Sequence, residues 1–323
     1  MKLSIALDRY DRHYPFFDGT VRGFHDIELE VFQVGQSQNW RDGDDRHARM
    51  LYGKEFDVAE FSMSSFLIAK SRGFPLVGIP VFPRRLFSQS QMWVHPDSDL
   101  WEPKQLKGKK IALSSFQTTL SLLAKGDLKF HYDVNWEDIH WLLTTEENIK
   151  FKHKKNLKID FLGNREKLGF LLESGQIDGF FLPHPPKSVM TGKSKARRLF
   201  RDPKKEEVSY YRRYGDFPIM HLLVVQEQLI KKKPEVAKAI LKIFDKAWQI
   251  SNSYYEDPNW SCLAWGRQAF EEQLYHLPGS PWENGFIKNR ENIERLIKYS
   301  YDQGLIENSF SAESLFHEET LFS

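Results

Sequence analysis

Short apolar runs alternate with segments of helical periodicity along this chain, and that alternation constrains its fold more than any other feature. Residues 3–7 (LSIAL), 56–61 (FDVAEF) and 76–82 (LVGIPVF) read as buried strands, and 27–34 (IELEVFQV) alternates as a half-exposed one. Between them, 44–53 and SMSSFLIAKSRG read as helices. Ser62 or Ser64 is placed to cap the second helix and Gly73 to end it. The order β, β, α, β, α, β with short connections predicts a mostly parallel sheet covered by helices.

The same pattern restarts near SQSQMWVH (88–95). KKIALSS leads into FQTTLSLLAKG; then come LKIDFLG, a helix at 164–174 and the strand IDGFFLP (177–183). DFPIMHLLVV (216–225) is a further apolar strand, followed by two amphipathic helices, PEVAKAILKIFDKAWQISNSYYED and NRENIERLIKYSYDQGLI. At 323 residues, two compact units are expected. No internal repeat is visible.

Composition narrows the function. Charged residues make up 28% and the net charge is +2, with no basic arm, so a dedicated nucleic-acid binder is not expected. The basic stretch 187–205 reads as a solvated loop. The single cysteine, Cys262, forbids an internal disulfide and any multi-thiolate metal site. The histidines show no metal-ligand spacing beyond a loose candidate at His47, so neither metal nor cofactor is expected. The opening MKLSIALDRYDRH lacks the roughly 7–15 apolar residues of a secretory signal. No run approaches the roughly 18 apolar residues of a membrane span. A cytoplasmic protein without membrane insertion is the expectation.

In an open parallel sheet, ligands sit beyond the carboxyl ends of the strands. That rule selects loops 8–14 (DRYDRHY), 60–65 (EFSMSS), 83–87 (PRRLF), 114–119 (SSFQTT) and 183–186 (PHPP). Two of them open helices, where free N–H groups and hydroxyls suit a carboxylate or phosphate; the plainer role of those hydroxyls is helix capping. His13, His184 and His221 lie at strand ends, within reach of acid–base work near neutral pH. There is no glycine-rich nucleotide loop, no H-E-x-x-H and no G-x-S-x-G.

FDVAEFSMSSFL, IPVFPRRLF, the S-x-Q-x-T helix start after KGKKIAL, FPIMH, the tail SPWENGFIKNRENIERLIKYSYDQGLI and the early YDRHYPFFDGTV resemble the 4,5-dihydroxyphthalate decarboxylase family. That family lies within the type II periplasmic-binding-protein superfamily. The resemblance implies an α/β fold of two lobes, each a mostly parallel sheet flanked by helices, with a ligand cleft between them. Lobe 1 would hold residues 1–92 and 218–323, and lobe 2 residues 93–217. The chain also departs from the family pattern. Leu86 and Phe87 are followed by Ser88 and Gln89 where the family has a second arginine and a histidine. Residues 115–119 are S-F-Q-T-T, and P-H-P-P stands at 183–186 in place of P-R-P-P.

Two functions remain open at this point. The first is non-oxidative decarboxylation of a small aromatic, hydroxyphthalate-like acid, as in aromatic degradation. Arg12 and Arg85 would hold carboxylates, helped by Ser64 and Thr118. His13 or His184 would serve as acid or base, with Asp11 or Glu60 orienting it. Phe87 and Phe116 would stack on the ring, and Ser62, Gln117 and His221 complete the ligand-facing set. The alternative is a solute-binding or sensing protein that holds a small anion without turnover.

Overall fold

The computed structural model of the chain describes residues 1–35 and 45–323, and no helix among them is long and apolar enough to cross a membrane. It is α/β, with two six-stranded mixed sheets flanked by helices, and it divides into two units. Unit 1 comprises residues 1–85, 219–294 and 310–323; unit 2 comprises residues 86–218 and 295–309. The first division falls at Arg85, ahead of the expected boundary, because the strand Met92–Val94 pairs within the second sheet. Residues 295–309 join unit 2 because Tyr299 packs onto Gly126 of that unit.

In unit 1 the strands are β1 (Lys2–Leu7), β2 (Gly23–Phe24), β3 (Ile27–Gln33), β4 (Val58–Ser62) and β5 (Leu76–Arg85). Unit 2 contributes β6 (Met92–Val94), β7 (Lys110–Leu113), β8 (His140–Leu143), β9 (Ile159–Phe161), β10 (Gly179–Phe181) and β11 (Arg197–Arg198), and β12 (Ile219–Gln226) returns to unit 1. The orders are β2-β3-β1-β4-β12-β5 and β11-β6-β10-β7-β8-β9. Central strands joined through helices pair in parallel, as β1 does with β3 and β4, and β7 with β8 and β10. The strands next to the crossings do not. β12 runs antiparallel to both β4 and β5, and β6 antiparallel to β10 and β11. The expectation of mostly parallel sheets is corrected to mixed sheets on that ground: a strand arriving straight from the other unit has no crossover helix to turn it around.

The core of unit 1 shows both periodicities at work. Leu3, Ile5 and Leu7 of β1 point to one face, two residues apart, with Ile79 and Val81 of β5 and Leu223 and Val225 of β12. Helix α5 (Glu235–Ser253) lays Val236, Ile240, Ile243, Phe244 and Ala247 across them. Each of these side chains larger than alanine contributes roughly 1.5–3 kcal/mol on full burial. Four further helices are α1 (Met63–Ser71), α2 (Thr119–Phe130), α3 (Leu168–Glu173) and α4 (Pro203–Tyr214). Ser62 caps α1 by accepting from the Ser65 N–H, and Gly73 follows it at φ +73°. The helix expected at 44–53 is present over Arg46–Gly53; residue 44 lies outside the described residues.

Candidate functional site

The carboxyl ends of β1 and β4 are neighbours in unit 1, with Ile5 opposite Val58 and Ala6 opposite Ala59. The chain leaving β1 therefore passes close to Glu60. That carboxylate is fully buried and gathers four partners: the Asp8 N–H at 3.2 Å, the Tyr10 hydroxyl at 3.0 Å, His221 Nδ1 at 2.5 Å and the Arg46 guanidinium at 3.3 Å. His221 reaches it because β12 lies beside β4, with His221 opposite Ser62.

Arg46 holds the cluster from behind. It is fully buried, donates from Nε to the Glu60 carbonyl at 2.7 Å and also to the Val34 carbonyl, and pairs with Asp8 at 3.5 Å. Burial by itself would raise the Glu60 carboxyl, but Arg46 and the His221 hydrogen bond outweigh it and hold the group ionised, well below its ordinary range. Since a carboxylate only accepts, His221 carries its proton on Nδ1 and leaves Nε2 as a lone-pair base. Burial, with Arg84 and Arg46 nearby, pushes its pKa down to about 4 against the pull of Glu60. Tyr10 is pushed up to about 12 by burial and by Glu60.

Two more histidines flank this group. His13 donates from Nδ1 to the Asp8 carbonyl at 2.8 Å, and burial together with Arg12 lowers its pKa to about 3. His47 accepts from the Ser62 N–H at 3.2 Å, and its ring centroid lies 5.5 Å from that of His221. Burial, then His221 and Arg46, hold it well below its usual value. All three imidazoles are thus neutral at pH 7.

The remaining sequence candidates are distributed as follows. Arg12 lies against the rings of Tyr10 and Trp282 (4.0 and 4.3 Å to the centroids) and donates to the Pro83 carbonyl at 2.5 Å. Asp11 pairs with Arg12 at 3.3 Å and accepts from the Tyr255 hydroxyl. Ser62 and Ser64 are buried, Ser62 at the mouth of β4 and Ser64 in the first turn of α1. Arg85 is anchored away from Glu60, on the Glu283 carbonyl at 2.9 Å and Asn289 Oδ1 at 2.7 Å. The strand alternation instead sets Arg84 opposite His221.

In unit 2, β7 runs into the turn 114–118 that opens α2. Gln117 is buried there, and Thr118 occupies the N-cap position. Phe116 is fully buried among Trp136, Phe151 and His153, as a packing ring. Phe87 is likewise buried, against Tyr210 and Phe217. His184 is exposed in the loop after β10.

Pattern reading passed over Asp8, Tyr10, Arg46 and Arg84. The first two stand inside the selected loop 8–14, and Arg84 inside 83–87. Arg46 carries no sequence signal, since a lone arginine in a short polar helix looks solvated. Among the described residues no group of three or more His, Cys, Asp or Glu side chains is arranged to hold a metal ion.

No protein-family model matches the chain. It is 29% identical to a 4,5-dihydroxyphthalate decarboxylase of Comamonas testosteroni, over 334 residues that span 100% of this chain and 98% of that one. A 4,5-dihydroxyphthalate decarboxylase of Pseudomonas putida is 26% identical over 219 residues, 66% of this chain and 82% of that one. Among solved structures, the periplasmic aliphatic sulphonate binding protein of Escherichia coli superposes with a TM-score of 0.57 at 12% identity. That match spans 100% of this chain and 99% of the other. The motif resemblance therefore extends along the whole chain, and its fold is the two-lobed periplasmic-binding-protein fold.

Proposed function

We propose that the chain is a non-oxidative decarboxylase of a small aromatic dicarboxylate of the 4,5-dihydroxyphthalate type, acting in aromatic degradation. The observation that carries this reading is the buried Glu60–His221 pair at 2.5 Å, an imidazole oriented by a carboxylate and left with a free-base nitrogen. The full-length similarity to the Comamonas testosteroni decarboxylase supports it.

In such a substrate each carboxylate has a hydroxyl para to it. Removing the phenolic proton pushes electron density onto the ring carbon that bears the carboxylate. Protonation of that carbon gives a non-aromatic intermediate; cleavage of the carbon–carboxylate bond then releases carbon dioxide and restores the ring. His221 Nε2 takes the phenolic proton, and Glu60 stabilises the imidazolium that forms. Burial and the neighbouring arginines keep this imidazole unprotonated at neutral pH. Arg12 and Arg84 neutralise the substrate's anionic oxygens; within unit 2, taken by itself, the turn 114–119 offers hydroxyl and N–H donors to an anion. The acid for the ring carbon is drawn from the sequence candidates His13 and His184.

The test is carbon dioxide release from purified protein with 4,5-dihydroxyphthalate. Release that falls at least about 100-fold in His221→Ala supports the assignment. Ligand-induced thermal stabilisation without release would replace it with a binding protein for the same anion. Cytoplasmic location is part of the proposal, and fractionation of the native host tests it.

A further inference from the structure

One peptide in unit 2 is held at both of its polar groups by ionisable side chains. The Phe116 N–H donates to Glu147 Oε1 at 2.7 Å, and the next N–H, of Gln117, donates to Glu147 Oε2 at 3.2 Å. From the opposite side Lys125 of α2 donates from Nζ to the Phe116 carbonyl at 2.8 Å. The Gln117 side-chain amide donates to the Ile149 carbonyl at 3.3 Å, a second tie to the segment that carries Glu147.

Lys125 is fully buried, and its amine lies 2.8 Å from the centroid of the Phe116 ring. A methionine would fill the same space without the desolvation cost of an amine. The amine's particular contribution is therefore its bond to the Phe116 carbonyl. Thr118 does not stabilise the turn by capping α2; its hydroxyl bonds Ser121 Oγ at 2.6 Å and the Ser115 carbonyl at 3.3 Å. Two ionisable side chains from outside the turn thus hold its central peptide, beside the Thr118 bond within it and the Thr144 and Thr145 bonds to the Ser114 carbonyl.

We propose that Lys125 and Glu147 are positioning residues, clamping the Phe116 peptide from both sides so that the 114–119 turn is held in its ligand-binding shape. This rests on the reading above that the turn faces the ligand. Neither residue touches the reacting atoms.

The variants are Lys125→Met, which removes a buried amine and is expected to fold, and Glu147→Gln. In each, KM for 4,5-dihydroxyphthalate rises about tenfold while kcat stays within about twofold, the signature of lost binding geometry. Without ligand, hydrogen exchange at the Phe116 and Gln117 amides of Glu147→Gln quickens at least about tenfold while Ile111–Leu113 exchange as before. Unchanged exchange at those two amides, or unchanged KM in both variants, overturns the proposal. Exchange that quickens through β7 and α2 alike shows a general structural role and also overturns it. If the unaltered protein releases no carbon dioxide, the decarboxylase reading fails by itself. Sulfate affinity by calorimetry then replaces KM, with about a tenfold loss in Lys125→Met expected and no loss overturning the clamp.

Discussion

Glu60 shows how much one buried charge demands of its neighbours. Four groups from three separate stretches of chain satisfy it, and Arg46 alone spans the Glu60 carbonyl, the Glu60 carboxylate and Asp8. Removing one member of such a buried set typically costs about 3–5 kcal/mol, since the partner charge stays buried. Arg46→Ala is therefore expected to lower stability by that amount, measurable by urea unfolding. It should also raise the His221 pKa, because Arg46 is one of the groups depressing it. In the unaltered protein, the acid limb of kcat/KM should fall as His221 protonates near pH 4. In a variant that retains the fold but lacks the Arg46 charge, such as Arg46→Met, that fall should move to higher pH. A limb left in place would detach Arg46 from the base.

Among the elements, α2 is tightly fitted at Gly126. Gly126 lies mid-helix, and a Cβ built there would stand 1.9 Å from the Tyr299 ring, which stacks on Phe130 at 5.3 Å. Alanine would gain about 1 kcal/mol of helix propensity at an unobstructed site. Here the ring is buried and cannot yield, so overpacking decides the sign. Gly126→Ala is expected to destabilise by about 1–3 kcal/mol, and the same change in a Tyr299→Ala background to be neutral or stabilising. A double-mutant cycle by chemical denaturation reads both. The elements also show which patterns a sequence displays openly. The α1 cap at Ser62 and the stop at Gly73 are written in residue types, as is the stripe of α5. Helix α4 (PKKEEVSYYRRY) is not, because only Tyr210 and Tyr211 are buried and most of the rest is charged. Its local signals lie at its ends: Asp202, which accepts from the Lys205 N–H, Pro203 in the first turn and Gly215 at the C-cap with φ +70°. The helix Gly266–His276 buries no residue and leaves still less pattern to read.

For the whole molecule, the response to pH is a contest between buried groups. His13 and His221 titrate near 3 and 4 in the folded chain, against 6.5 unfolded. Their contribution to stability is present above pH 6.5 and is lost as pH falls toward 4. Asp127 acts in the opposite direction. It is fully buried, receives hydrogen bonds from Ser88 at 2.7 Å and from Tyr210 and Tyr299 at 3.3 Å, and burial raises its pKa from 3.8 to about 7. Its contribution is present below pH 3.8 and disappears as pH rises to 7, on the order of 4 kcal/mol in all. The unaltered protein should therefore gain stability between pH 4 and 6.5, the buried histidines outweighing Asp127, Asp245 and Glu207, whose carboxyls burial raises. Asp127→Asn should gain more steeply over that range and be the more stable of the two at pH 8. Parallel unfolding curves for the two proteins across pH 4–8 would remove Asp127 from this account.

The sequence by itself determined the alternating α/β order, the existence of two units, the identity of the buried faces and the loops worth searching. These are properties of period and residue type, which act between neighbours in the chain. Tertiary structure alone decided that Arg46 stands behind Glu60, that Arg84 and not Arg85 faces His221, and that Phe116 packs inward. It also decided that β6 and β12 run against their neighbours. Each of these depends on which strand lies beside which, and on which of two alternate faces a residue takes. A one-residue change of register reverses that face without altering any local pattern.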